Sequence, residues 1–161
     1  MTMLLWDYEM SSARGVLEGT SPAKRLALAV SAIEWTINTM TPPIETDQVR
    51  GYLSVVVDAC RQAVQAGNTW VSLSDEMLDS YDEVDEIAEE PGTSHMLSAV
   101  LACCDPTEDL SAERAYGILS FCYEGSLDRE GVEEWTLEAE RANSRCRAVI
   151  DYQKSLIATV E

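Results

Sequence analysis

His95 is the only histidine of this chain, and it decides most of what the sequence can offer as nucleophilic chemistry. A serine, threonine or cysteine nucleophile needs a neighbouring base to take its proton. His95 follows Thr93-Ser94 and falls in the first turn of an expected helix, where a neutral ring is at home on the surface. Cys103 and Cys104 come two turns later, at positions that read as buried, so the spacing assembles no catalytic pair. The five cysteines (Cys60, Cys103, Cys104, Cys122 and Cys146) are odd in number and hold no C-x-x-C pair. They read as free thiols used as small core residues in a reducing compartment. No catalytic residue is assigned.

Carboxylates offer the other chemistry. Glu83-x-x-Glu86 and Glu86-x-x-Glu89 resemble half of the magnesium site of all-helical nucleotide pyrophosphohydrolases, which join E-x-x-E on one helix to E-x-x-D on the next. The next expected helix, Ser94 to Cys104, has no acid, and one helix alone cannot surround a hard cation. E-x-x-H, a D-x-D-x-D-G calcium loop and a glycine-rich phosphate loop are all missing. The sequence therefore assigns no metal ligand and no cofactor, and the hydrolase stands as an alternative.

Residues 75 to 90 carry nine acids and no base: Asp75, Glu76, Asp79, Asp82, Glu83, Asp85, Glu86, Glu89 and Glu90. Like charges four apart weaken a helix by a few tenths of a kcal/mol per pair. Such a run is commonly a solvated face that serves solubility. It is also the surface that steers a cationic protein and stands in for a phosphate backbone. Trp70, in the loop before it, and Tyr81, within it, are candidate aromatic anchors, since a few buried aromatics carry most interface energy. The partner-binding assignment is therefore these nine acids with Trp70 and Tyr81. The Trp6-Asp7-Tyr8 end is a second place where a partner could sit.

The totals point the same way. With 29 acidic and 11 basic residues the formal charge is −18, which disfavours direct binding to nucleic acids or anionic membranes and favours basic partners. Hydrophobic residues make up 46%, an ordinary globular share. No apolar run approaches the ~20 residues that span a bilayer. The start, M-T-M-L-L-W-D-Y-E-M, lacks the basic region of a secretory signal, so a cytoplasmic location is expected.

Helices must position these residues, and helical punctuation is good almost throughout. Thr20-Ser21-Pro22 opens a helix with Leu26, Val30, Ile33, Ile37 and Met40 inside, closed by Pro42-Pro43. A second starts near Thr46-Asp47 and stops at Gly67. A third is capped by Ser74, with Leu73 and Leu78 closing over its first turn, and is stopped by Pro91-Gly92. Thr93-Ser94 caps a fourth. Asp105-Pro106-Thr107-Glu108 has capping-box spacing, and Ser111 caps a helix ending near Gly125. The last and longest helix is expected from Val132, with Trp135, Ala139, Ala142, Cys146, Val149, Gln153, Leu156 and Val160 in heptad register. That seam suits the spine of a bundle, and it could also pair two copies of the chain. Ser12 to Leu17 suits a short extra helix, and Trp70 to Leu73 is too short to build a sheet.

The resulting expectation is an all-α, single-domain bundle of about six helices over residues 1–161, with a long C-terminal helix. Its expected function is non-enzymatic: an immunity-type inhibitor that occludes the groove of a basic toxin, with a nuclease among the candidates. The alternative within the binding class is a nucleic-acid mimic acting on a DNA-binding protein.

Overall fold

The computed structural model describes residues 3–104 and 108–161. Among them the chain forms nine helices and no strand: α1 Leu5–Glu9, α2 Ala13–Glu18, α3 Pro22–Asn38, α4 Asp47–Gln65, α5 Asp75–Ile87, α6 Thr93–Ala102, α7 Ala112–Arg129, α8 Leu137–Ala142 and α9 Ser144–Ala158. The all-α fold with a long helix at its C-terminal end is as expected, and α2 is the short extra helix. The turn expected at Asp105-Pro106-Thr107 lies outside the described residues.

Several helices start where a side chain can take an orphan amide. Ser21, Ser74 and Ser111 accept from Lys24, Met77 and Arg114 respectively. Helix α4 stops as expected: Gly67, at φ 74°, turns the chain so that its own amide and that of Asn68 reach back to Val64 and Ala63.

The spine of the bundle is α7, which packs against α2, α3, α6 and α9. This corrects two expectations. The C-terminal segment is broken into α8 and α9, and at 15 residues α9 is shorter than α3, α4 and α7. Thr136 accepts from Ala139 N at 3.1 Å to start α8, and Asn143 accepts from Cys146 N at 2.9 Å to start α9. Two capping side chains thus restart a helix that apolar spacing alone would run through, and Ala142 ends up exposed. From Cys146 onward the heptad reading holds, with Cys146, Val149 and Gln153 buried against neighbouring helices.

Gly125, expected to end its helix, is buried inside α7. There the backbones of α6 and α7 cross closely: a Cβ on Gly125 would lie 3.2 Å from the Gly92 oxygen, and one on Gly92 only 2.3 Å from the Gly125 oxygen. Gly92, at φ 84°, is also the N-cap of α6, a place the sequence gives to Thr93-Ser94. Thr93 is instead fully buried, and its hydroxyl donates to the Glu90 carbonyl at 2.6 Å.

A polar network ties the first helix to the last. The Glu140 carboxylate is wholly buried, and its Oε1 accepts from Leu5 N at 3.0 Å and from the Tyr123 hydroxyl at 2.6 Å. Trp6 donates to Gln153 Oε1 at 2.7 Å, and Gln153 donates onward to the Leu119 carbonyl at 3.0 Å.

Candidate functional site

Helix α5 lies at the margin of the bundle and leans on α4. Val84 is its only fully buried residue, with Met77 and Tyr81 partly buried beside it. On a 3.6-residue period these three form one narrow stripe, so the rest of the helix faces outward. Asp75, Glu76, Asp79, Asp82, Glu83 and Glu86 are all exposed, as is Glu89 just beyond the helix. Asp85 is partly covered and accepts from the Ser94 hydroxyl at 3.2 Å. Among the described residues the ion pairs use Glu9, Glu34, Asp47, Asp58, Glu90 and Glu113, and none of the carboxylates from 75 to 89.

The eleven residues read from the sequence do not all share this surface. Tyr81 turns inward. It stands edge-on to Tyr52 at 6.3 Å between ring centroids, and burial pushes its hydroxyl pKa up. It holds α5 to α4 and is no free anchor. Helix α5 ends at Ile87, short of Pro91-Gly92, so Glu89 and Glu90 leave the helix and two of the expected repulsive pairs with them.

Glu90 leaves the acidic face altogether. Its carboxylate accepts from Glu45 N at 3.0 Å and Thr46 N at 2.7 Å, and Arg129 approaches at 3.4 Å. The Thr46 side chain and these two amides, with Arg129 beside them, hold its pKa down to about 2 despite some burial. Arg129 itself is nearly enclosed and donates to the carbonyls of Pro42, Pro43 and Pro91. Glu90 and Arg129 therefore clamp the turn before α4 to the turn before α6. Nothing local marks this role, since every partner is distant in the chain.

The clamp has a pH signature. The folded pKa of Glu90 lies below its ordinary 4.5, so its contribution is fully present above about pH 4.5 and is lost as pH falls towards 2. With 23% of the side chain still exposed, Glu90→Gln is expected to cost on the order of 1–2 kcal/mol at pH 7. Urea titrations of both proteins at pH 7 and pH 3 check this: the gap must narrow at the lower pH.

Helix α5 and the loop before it also expose apolar side chains. Trp70 keeps 36% of its surface exposed, Leu78 39% and Ile87 38%. Leu78 was expected to fold over Leu73 at the start of the helix, yet it stands open while Leu73 packs on the core. Trp70 is held in place by its flanks: the Thr69 carbonyl accepts from Leu110 N at 3.1 Å, and Val71 N donates to the Cys103 carbonyl at 3.3 Å. In α1, Trp6 is 2% exposed and packs on Tyr116, Asp7 caps the helix by accepting from Leu4 N, and of Trp6-Asp7-Tyr8 only Tyr8 stands out.

Glu83, Glu86 and Glu89 are each exposed, and among the described residues no three His, Cys, Asp or Glu side chains are placed to hold a metal ion together. Beside Glu124 of α7, His95 is partly buried, with its Nδ1 lacking a hydrogen-bond partner. No helix among the described residues is long and apolar enough to cross a membrane. The chain matches no known family model, and no curated protein or solved structure is significantly similar to it.

Proposed function

We propose that this chain is a protein-binding domain whose α5 face docks on a basic protein and neutralises it, in the manner of an immunity protein that occludes the cationic groove of a toxin such as a nuclease. One observation carries the reading: the outward carboxylates of α5, with no cation among residues 75–90, share that helix with exposed Leu78 and Ile87, and Trp70 is exposed in the loop that leads into it. A face that served only solubility has no use for exposed apolar side chains. A docking face uses the acids to speed encounter and the apolar side chains to slow release. The contact set is Trp70, Asp75, Glu76, Leu78, Asp79, Asp82, Glu83, Asp85, Glu86, Ile87 and Glu89, with Tyr81 holding the helix from behind and Glu90 fixing the turn beyond its end.

The test is a triple reversal, Asp82→Lys, Glu83→Lys and Glu86→Lys. Tagged wild type and variant are used to capture partners from a lysate of the source cells, washed at low and high salt. The expected result is one stoichiometric basic protein, weakened by salt, with association by the variant slowed about 100-fold at low salt. The far-ultraviolet helix signal stays unchanged. Equal retention by the variant overturns the proposal. Competition with duplex DNA separates the two binding readings, because a nucleic-acid mimic is displaced and a dedicated inhibitor is not.

A further inference from the structure

Between α3, α4 and the turn that joins them lies a cavity of about 530 Å³. Proteins hold small molecules in cavities of about 300–1,000 Å³. The apolar part of its wall is Ile37, Ile44, Leu53 and Val57, all buried or half-buried. Asn38, Arg50, Ser54 and Arg61 are exposed and form its polar rim. Positions 50, 54, 57 and 61 recur at four, three and four, so one face of α4 supplies both apolar wall and polar rim.

The wall is fixed by contacts of its own. Arg61 Nε donates to Glu34 at 3.0 Å and ties α4 to α3. In the turn, Arg129 donates to the carbonyls of Pro42 and Pro43, while Glu90 accepts from the amides of Glu45 and Thr46. Ile44 is thereby held from both sides. A cavity whose wall is set in advance loses little entropy when it is filled.

Its charges decide what can fill it. Besides Glu34, Arg61 bonds Asp58 through Nη1 at 3.1 Å, and Gln62 donates to the other Asp58 oxygen at 3.1 Å. Arg50 is paired with Asp47. An anion would have to displace these acids from the arginines, and it would approach a chain of formal charge −18. A cation would have to displace Arg61 from Glu34 and Asp58. The Ser54 hydroxyl and the Asn38 amide, in contrast, make no hydrogen bond among the described residues. We propose that this cavity is a binding site for an uncharged, mainly apolar small molecule with a hydrogen-bonding group that meets Ser54 or Asn38 at the rim. None of residues 70–90 lines it, so the site is separate from the acidic face and neither reading depends on the other.

The experiment titrates the full chain with phenylnaphthylamine, a neutral dye that brightens in apolar surroundings. Anilinonaphthalene sulfonate, the same rings with an anionic group added, is the comparison. The neutral dye is expected to saturate at one molecule per chain and to bind about tenfold tighter than the sulfonate. Ser54→Trp, at an exposed position on the rim, must lower its affinity about tenfold with the far-ultraviolet helix signal unchanged. Amide shifts followed by NMR must centre on Ile37, Ile44, Leu53 and Val57. Absence of saturable binding, a sulfonate bound as tightly, or wild-type affinity in Ser54→Trp each overturn the proposal. So do shifts centred on Trp70 or Leu78, or a dimer that the dye dissociates, which would make a second copy of the chain the occupant.

Discussion

Gly92→Ala is expected to cost about 3 kcal/mol or more and to lower the thermal midpoint by about 10 °C. Two independent causes add. At φ 84° any side chain is strained. The new Cβ would also stand 2.3 Å from the Gly125 oxygen and 3.1 Å from its carbonyl carbon, backbone atoms of a central helix that cannot rotate aside. Gly67→Ala provides the control. Gly67 has a similar φ of 74°, but nothing lies within 4 Å of its added Cβ, so only the conformational cost of about 1 kcal/mol remains. If guanidinium titrations find the two variants equally destabilised, the crossing of α6 on α7 is looser than a 2.3 Å approach requires. Gly125→Ala should fall between them, because its contacts of 3.1–3.4 Å are milder and alanine is the better helix former.

Glu140→Ala is the second large effect, expected at 3–5 kcal/mol. Removing the carboxylate leaves the Leu5 amide and the Tyr123 hydroxyl buried without an acceptor, and it opens a cavity where the side chain was fully enclosed. Glu140→Gln keeps an oxygen for both donors and should cost less, since the Oε2 position that becomes an amide has no hydrogen bond to lose. Tyr123→Phe should fall near 1–3 kcal/mol. A double-mutant cycle on Glu140→Gln and Tyr123→Phe measures their coupling. Hydrogen exchange at the Leu5 amide adds a local readout, and its protection must drop in Glu140→Ala. A cost under 1 kcal/mol, or unchanged exchange at Leu5, would show that the network does not hold α1 in place. The cost is that of breaking the network; replacing all of its members by well-packed apolar side chains can be as stable.

Local rules sufficed for most of the helices. The serine caps at Ser21, Ser74 and Ser111, the stop at Gly67 and the apolar faces of α3, α4 and α7 each depend on residues a few places apart. The acidic run was legible for the same reason, as charge can be counted without tertiary context. What sequence could not supply were the contacts made across the fold. Glu90 looks like one more acid of the run until Glu45, Thr46 and Arg129 are seen around it. Gly125 reads as a helix end because a glycine that admits a neighbouring backbone has the same letter as one that terminates. Glu140 was hidden within a charged stretch, and its burial depends on Tyr123 and on the first helix. Asn143 shows the reverse error: a cap was present in the sequence, and a regular apolar spacing obscured it.

The shallow seating of α5 divides labour among residues in a way that matters for descent. Only Val84 of that helix is fully buried, and the outward acids rest on nothing. Codon changes at Asp75, Glu76, Asp79, Asp82, Glu83 and Glu86 thus escape the purifying constraint that the core imposes at Leu119 or Met96. A lineage can rewrite this one surface step by step while the scaffold beneath it is inherited unaltered.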